Sequence, residues 1–347
     1  MVRSSISSVI ASLLWIVAAA PAQPVAPAET GVVISAKNAG QLRSVKEVPK
    51  TAHRIIRGPK RGELTVLEFG KTVEVMDDVD LRPLRTITVQ KPLHFAHSSD
   101  GKYLAWHPGS TTAYTVMDTT NDKTIDIGLG AEAEVCNAAF SPNGKLLAIG
   151  RMVWDPNAVD DGYSEVQLYD LTGKLIRTLE KSGAGGLRPV FSPDGKTLAV
   201  GNRNYETRLY EVATGKLLHK LDERYTQEIA FSPDGKTLAV GYVDGTVRLW
   251  DVATGKLLRS APSACEEVYS ADWSPKGDVL VTSGLNGKIE LWEPGKLTKV
   301  GELEAPDWVN QVRFAADGTR LLSNGGSDHG QANRKIVVWA VPKEARR

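Results

Sequence analysis

Residues 191–218, FSPDGKTLAVGNRNYETRLYEVATGKLL, recur forty positions later as FSPDGKTLAVGYVDGTVRLWDVATGKLL at 231–258. A period of this length restricts the chain to an array of small units, because one such unit cannot bury its apolar face alone. Aligned on SPDGK, the leading aromatic stands at Phe140, Phe191, Phe231, Trp273 and Phe314, with offsets of 51, 40, 42 and 41. Weaker copies begin at His97 (HSSDGKYLAW) and Gly58 (GPKRGELTVLEFG). The second half of the unit gives an independent count: VEVMDD (73–78), YTVMDT (114–119), VQLYDL (166–171), TRLYEV (207–212), VRLWDV (247–252), IELWEP (289–294) and IVVWAV (336–341). That makes seven units.

Each unit reads as four short strands. The first ends at the leading aromatic. The SPDG turn follows, with Pro193 or Pro233 presetting φ and Gly195 or Gly235 supplying a positive φ at its end. KTLAVG is the second strand, a variable loop leads to the third, and ATGK turns on Gly215 or Gly255 into the fourth. Val, Leu, Trp and Tyr occupy both faces of the inner strands, as in sheets covered on both sides. The expected class is all-β: a seven-bladed β-propeller of four-stranded antiparallel blades.

LWDVATGKLL after SPDGK resembles the WD40 repeat family, most closely at 191–260 and more loosely over about 40–341. The resemblance implies a propeller that binds proteins, here as an exported, bacterial-type member. The family's Gly-His pair is absent from all seven units, and Trp-Asp closes a third strand only at Trp250–Asp251. Its His, Asp and Trp hydrogen-bond network is therefore not carried over. Six-bladed propellers of the TolB-like kind share an aspartate-glycine turn and are the structural alternative; seven third strands argue against them.

The two ends of the array are complementary. The last unit, KIVVWAVPKEARR, has a third strand but no fourth, and NAGQLRSV at 38–45 resembles ATGKLLRS at 253–260 without strands before it. In the family the N-terminal segment completes the last blade, so Gln41–Val48 is expected to pair with Lys335–Val341 and close the ring. Before it, residues 1–22 read as a signal peptide: Arg3, an apolar run over 9–20, and APA at 20–22 ahead of a cut before Gln23. That run is short for a membrane span. The expected layout is a flexible lead-in over 23–37, the propeller over 38–341 with blades starting near 51, 91, 134, 187, 226, 267 and 308, and a basic tail over 342–347. The expected location is the periplasm or the extracellular space.

Composition narrows the function. Forty-two basic residues face 41 acidic ones, so no global charge selects nucleic acid or a membrane. A basic run from Arg43 to Arg61 reads as a solvated face. Cys136 and Cys265 fall on opposed units, too far apart for a disulfide. GKT at 195–197 and 235–237 lacks the upstream glycine and the helix of a phosphate loop, and GLGAEA at 128–133 lacks a strand-to-helix context. SDH at 327–329 cannot form a triad from consecutive loop residues. His94 and His97, three apart on a strand, face opposite sides, so no metal site is read there. DPNAVDDG at 155–162 leaves a weak calcium site open, although Val159 breaks the ligand alternation. No cofactor and no catalytic residue are expected.

Variation between units is confined to one set of connections. The SPDG and ATG turns, at one end of every unit, are nearly uniform. The opposite end carries RMVWDPNAVDDGYSE (151–165), NGGSDHGQANR (324–334), DERYTQ (222–227), APSACEE (261–267) and EAPDWVN (304–310). Binding concentrates in such loops. Trp154, Tyr163, Arg188, Arg224, Tyr225 and Trp308 are of the residue types enriched at interface hot spots; Trp308 also fits a core position. The expected function is a non-catalytic platform for a protein or peptide, monomeric or a subunit of a complex. The alternatives are a propeller enzyme, lactonase-like or quinoprotein-like with a site at the channel mouth, and a structural subunit of a periplasmic or cell-surface complex.

Overall fold

A serine, an aspartate and a glycine organise the turn after the first strand in the second, fourth and fifth sheets. The Ser192 hydroxyl donates to the Asp194 carboxylate (2.6 Å) and accepts the Thr197 backbone N–H (3.0 Å), while the carboxylate accepts the Lys196 N–H (3.0 Å). Gly195 ends the turn at φ 70°, a conformation that a residue with a Cβ seldom adopts. The same contacts recur at Ser232–Asp234 and Ser98–Asp100, and Asn143 replaces the aspartate after Ser141. In the later turn, the carboxylates of Asp170 and Asp251 accept the backbone N–H and hydroxyl of Thr172 and Thr254.

These turns join strands into sheets. The computed structural model describes residues 31–342 apart from 50–51, 58–62, 69–71, 78–79, 90–92, 109–112, 130–132, 155–161, 180–181, 184, 203–205, 306 and 326–334. Seven antiparallel sheets are present among the described residues. The first comprises Ala52–Arg57, Glu63–Glu68, Thr72–Asp77 and Pro83–Thr88; the second, Leu93–His97, Tyr103–His107, Ala113–Asp118 and Lys123–Gly128. The third is Ala133–Phe140, Leu146–Trp154, Gly162–Asp170 and Leu175–Thr178. Leu187–Phe191, Thr197–Asn202, Arg208–Glu211 and Leu217–Lys220 make the fourth. The fifth is Thr226–Phe231, Thr237–Tyr242, Thr246–Asp251 and Leu257–Pro262; the sixth, Ser270–Trp273, Leu280–Ser283, Lys288–Glu293 and Thr298–Glu304.

The seventh sheet draws on both ends of the chain. Val309–Phe314, Arg320–Gly325 and Lys335–Ala340 are joined by Arg43–Pro49, which runs antiparallel to Lys335–Ala340 and supplies the missing fourth strand. The third sheet departs from the four-strand plan. Its long third strand outruns its fourth, and Ser182–Gly183 returns to pair with Tyr163 and Ser164. The Ser164 hydroxyl donates to the Gly185 carbonyl (2.7 Å) and secures the return.

Apolar clusters lie between successive sheets. Tyr114 and Val116 of the second sheet pack with Phe140 and Ile149 of the third, and Leu168 of the third packs with Phe191 and Leu198 of the fourth. Equivalent clusters join the fourth to the fifth, the fifth to the sixth, the sixth to the seventh, and the first to the second. The seventh sheet also packs on the first, through Leu322, Ile336 and Val338 against Ile55 and Met76. The Ile55 N–H donates to Gln311 across that same boundary (2.7 Å).

Residues 32–36, placed in the lead-in by sequence, are half-buried or buried. Ile34 is fully buried with Ala39 and Leu42 against the sixth and seventh sheets, and its N–H donates to the Gly318 carbonyl (2.8 Å). The apolar run VVI escapes a reading that looks for strands, because it forms none.

A tryptophan contact recurs in two sheets. The Trp292 indole donates to the Thr282 hydroxyl and that of Trp339 to the Ser323 hydroxyl, both at 2.9 Å. In each sheet the hydroxyl lies two residues beyond the tryptophan's cross-strand partner. Val240 holds that place in the fifth sheet, so Trp250 has no such acceptor.

Outer strands carry a second regularity. Six of the seven contain a bulge, at Leu84, Ile176, Leu218, Leu258, Val300 and Val45. The next residue reaches the following sheet's second turn. Arg85 donates to Asp122 (3.2 Å), Arg177 to the Ala213 carbonyl (3.0 Å), His219 to that of Ala253 (3.0 Å), Arg259 to that of Gly295 (3.1 Å) and Lys46 to that of Asp80. In the second sheet Ile125 sits there and packs beside Gly173; in the sixth, Gly301 leaves room for the Ala39 backbone. One contact of this kind therefore ties each sheet to its neighbour.

The turn hydrogen bonds make stability acid-sensitive. Those from Ser98, Ser192 and Ser232 hold the carboxyls of Asp100, Asp194 and Asp234 below the usual aspartate range. A carboxyl depressed in the folded state contributes its full stability above about pH 4 and loses it as pH falls through the folded value. Urea unfolding of the double variant Ser192→Ala, Ser232→Ala should show its largest deficit at neutral pH. That deficit should shrink below about pH 4 without vanishing, because the hydroxyls also accept backbone N–H groups.

Candidate functional site

The loop end of the sheets, where second strands meet third strands and each sheet meets the next, holds the six sequence-selected residues or their neighbours. Trp154 closes the second strand of the third sheet and is 55% exposed. Tyr163 is half-buried on the adjacent strand, opposite Val153 and Gly183. Tyr225, between the fourth and fifth sheets, is 60% exposed while its carbonyl accepts the Val243 N–H (3.1 Å). Trp308 precedes the seventh sheet, is 37% exposed and stands outside the apolar clusters, so the core position open to it in sequence is not the one it takes. Its backbone is fixed all the same: a Cβ on Gly325 would collide with the Trp308 carbonyl, which is why the second strand ends in glycine there.

The two arginines are already engaged. Arg224 pairs with Asp244 and lies 3.4 Å from Asp222, which also pairs with Arg248. Arg248 in turn lies over the Tyr242 ring, 5.5 Å from its centroid. Arg188 belongs to the first strand of the fourth sheet and pairs with Glu228 of the fifth. The other Glu228 oxygen is 3.8 Å from Arg313 of the seventh sheet, whose guanidinium donates to the Ser270 hydroxyl of the sixth (2.7 Å). Arg188, Glu228, Arg313 and Ser270, on the first strands of four sheets, thus form one chain of contacts.

Trp154, Tyr163 and Arg188 lie on the third and fourth sheets, Arg224 and Tyr225 in the connection to the fifth, and Trp308 just before the seventh. Sequence reasoning missed Glu228 and Arg313. A signal was present: the residue three before the end of each first strand is polar in all seven units, namely Arg54, His94, Asn137, Arg188, Glu228, Ser270 and Gln311.

Among the described residues, no three His, Cys, Asp or Glu side chains converge as metal ligands. Simple alternation does not hold at His94, which has φ 48° in a bulged strand; the Tyr114 hydroxyl donates to its carbonyl, and His97 Nδ1 contacts the Ser98 carbonyl (2.9 Å). The acidic loop weighed for calcium lies outside the described residues apart from Gly162. Both cysteines are free thiols, and burial pushes Cys265 up to about 12, which leaves it inert as a nucleophile. No helix among the described residues is long and apolar enough to cross a membrane.

Known proteins match the centre of this framework. A family model described as the anaphase-promoting complex subunit 4 WD40 domain covers residues 222–271, and one for the WD domain, G-beta repeat covers 255–293. Residues 222–293 match WD40 repeats. A curated relative, THO complex subunit 3 of Arabidopsis thaliana, is 26% identical over 184 residues, 51% of this chain and 58% of that protein. The chain thus aligns with little more than half of the relative's length.

The Glu228 cluster yields a stability prediction. Glu228→Gln leaves two guanidinium groups facing each other without their carboxylate. Chemical unfolding should show a loss on the order of 1–3 kcal/mol, below the cost of breaking a fully buried pair because Arg188 is partly exposed. Adding Arg188→Gln should recover part of that loss.

Proposed function

We propose that this chain is a non-catalytic WD40 platform that holds a partner protein or peptide on its loop end. In this reading the seven sheets are the blades of one closed propeller. The observation that carries it is the set of exposed aromatics, Trp154, Tyr225 and Trp308, at the end where the units differ from one another. Exposed aromatics on a rigid frame bury large area at low entropic cost, which suits them as anchors. The Arg224 and Arg188 ion pairs fix the ground between them and supply charge at the rim.

Membership of a complex fits the printed name of the plant relative, a subunit of the THO complex. The same reading includes export, supported by the charged start, apolar run and small-residue cleavage pattern of residues 1–22. It rests on protein binding, with neither nucleic acid nor a cofactor as a partner.

The test is the triple variant Trp154→Ala, Tyr225→Ala, Trp308→Ala. Captured partner should fall at least about tenfold, the worth of one well-buried anchor. The melting temperature should move little, because all three side chains lie outside the core. Unfolding of the variant, or undiminished capture, would refute the reading.

A further inference from the structure

The turn end of the sheets carries a site of its own. Between the fifth and sixth sheets lies a groove of about 350 Å³, floored by Leu249 and Trp273 and edged by Pro233, Leu258, Lys276 and Pro294. The equivalent groove between the sixth and seventh sheets is filled by the chain itself. There Ile34 packs with Leu291 and Phe314, which take the places of Leu249 and Trp273, and its N–H donates to the Gly318 carbonyl. Val33 lies against Gly318, and the bulged Val300 is half-buried where its counterpart Leu258 is exposed. The carbonyl matching Gly318 in the open groove is that of Gly277.

Turn chemistry explains why this groove is open. At the two preceding boundaries the second turn is ATG, and the outer-strand residue folds down onto its glycine: Arg177 against Gly215, His219 against Gly255. At the sixth sheet the turn is EPGK, and the nearest neighbours of Gly295 belong to its own Glu293. Arg259 still reaches the Gly295 carbonyl (3.1 Å), but the space inside that contact is left unfilled. Charge differs as well. Lys276 stands where the filled groove has Asp317, and Asp234 across the mouth is committed to the Ser232 hydroxyl and the Lys236 N–H.

We propose that the groove between the fifth and sixth sheets docks an extended segment of a partner protein, with a β-branched aliphatic side chain and a nearby carboxylate. The aliphatic group sits on Leu249, Leu258 and Trp273, in the manner of Ile34. The segment's N–H donates to the Gly277 carbonyl, and its carboxylate faces Lys276. This surface is separate from the loop-end platform, so one chain joins two partners, or holds one partner at two points.

The experiment uses the full chain and a labelled peptide copying residues 29–36, ETGVVISA, which has the aliphatic run and an acidic residue. Anisotropy should show saturable binding, weakened about tenfold by Leu258→Glu, the loss expected for one buried aliphatic contact. Lys276→Glu should weaken it several-fold, and a peptide with Ile34→Asp should not bind. Leu218→Glu, at the matching bulge of the fourth sheet where His219 closes the turn, should leave binding unchanged; all three chain variants alter exposed side chains. The proposal fails if no saturation appears by about 1 mM, or if Leu258→Glu has no effect. It fails equally if sedimentation shows self-association that Leu258→Glu abolishes, which assigns the groove to a second copy. Much tighter peptide binding after deletion of residues 1–30 would assign it to the chain's own leader.

Discussion

The pairing of Arg43–Pro49 with Lys335–Ala340 is the contact on which the other sheets depend. Without it, the last strand of the chain would present a row of unpaired N–H and C=O groups, an invitation to aggregation. The entropic cost of bringing distant segments together grows only slowly with chain length, so a join this remote in sequence is thermodynamically reasonable. It is reinforced on both sides. Lys335 pairs with Glu47, and Ile34, Ala39 and Leu42 are buried beneath the sixth and seventh sheets. Through Leu322 and Ile336 the seventh sheet then packs on the first.

Every sheet touches its neighbours in sequence, so stability is shared by nearest-neighbour contacts in the manner of repeat proteins. The outer-strand residue facing the next sheet's second turn, which follows a bulge in six sheets and is Ile125 in the unbulged second sheet, is one such contact. Its chemistry varies (arginine, histidine, lysine, isoleucine, glycine) while its place does not. Where the acceptor is a backbone carbonyl, any donor of the right reach satisfies it, so arginine, histidine and lysine exchange there. The same freedom lets boundaries differ without disturbing the frame. A change from ATG to EPGK leaves a groove at one boundary, and the chain's own residues 31–42 fill the next.

Much of this was legible in the sequence because turns repeat with little variation. SPDGK and ATGK fix strand ends through local hydrogen bonds, and the third strands count the units. Features that depend on register were harder to see. The polar residue at Arg188, Glu228 and their equivalents is visible in an alignment, yet only the convergence of first strands shows that Glu228 meets two arginines. Outer-strand bulges at Ile176, Leu218 and Leu258 look like ordinary strand residues in GKLIR, GKLLH and GKLLR. Ile34 was illegible because its role comes from distant sheets and not from any local pattern. Of the six loop-end residues, Trp154 and Tyr163 changed their structural setting, because the second and third strands of the third sheet run on into the inserted segment that sequence reads as a loop.

Hydrogen exchange at the amides of Lys335–Ala340 tests the dependence on the N-terminal segment most directly, comparing the full chain with one that begins at residue 50. The full chain should protect these amides to the level of the central strands. The truncated chain should lose that protection together with protection in the first and sixth sheets, and should melt lower or aggregate. Unchanged protection in a monomeric truncated chain would contradict the claim that the join between the two ends holds the sheets together.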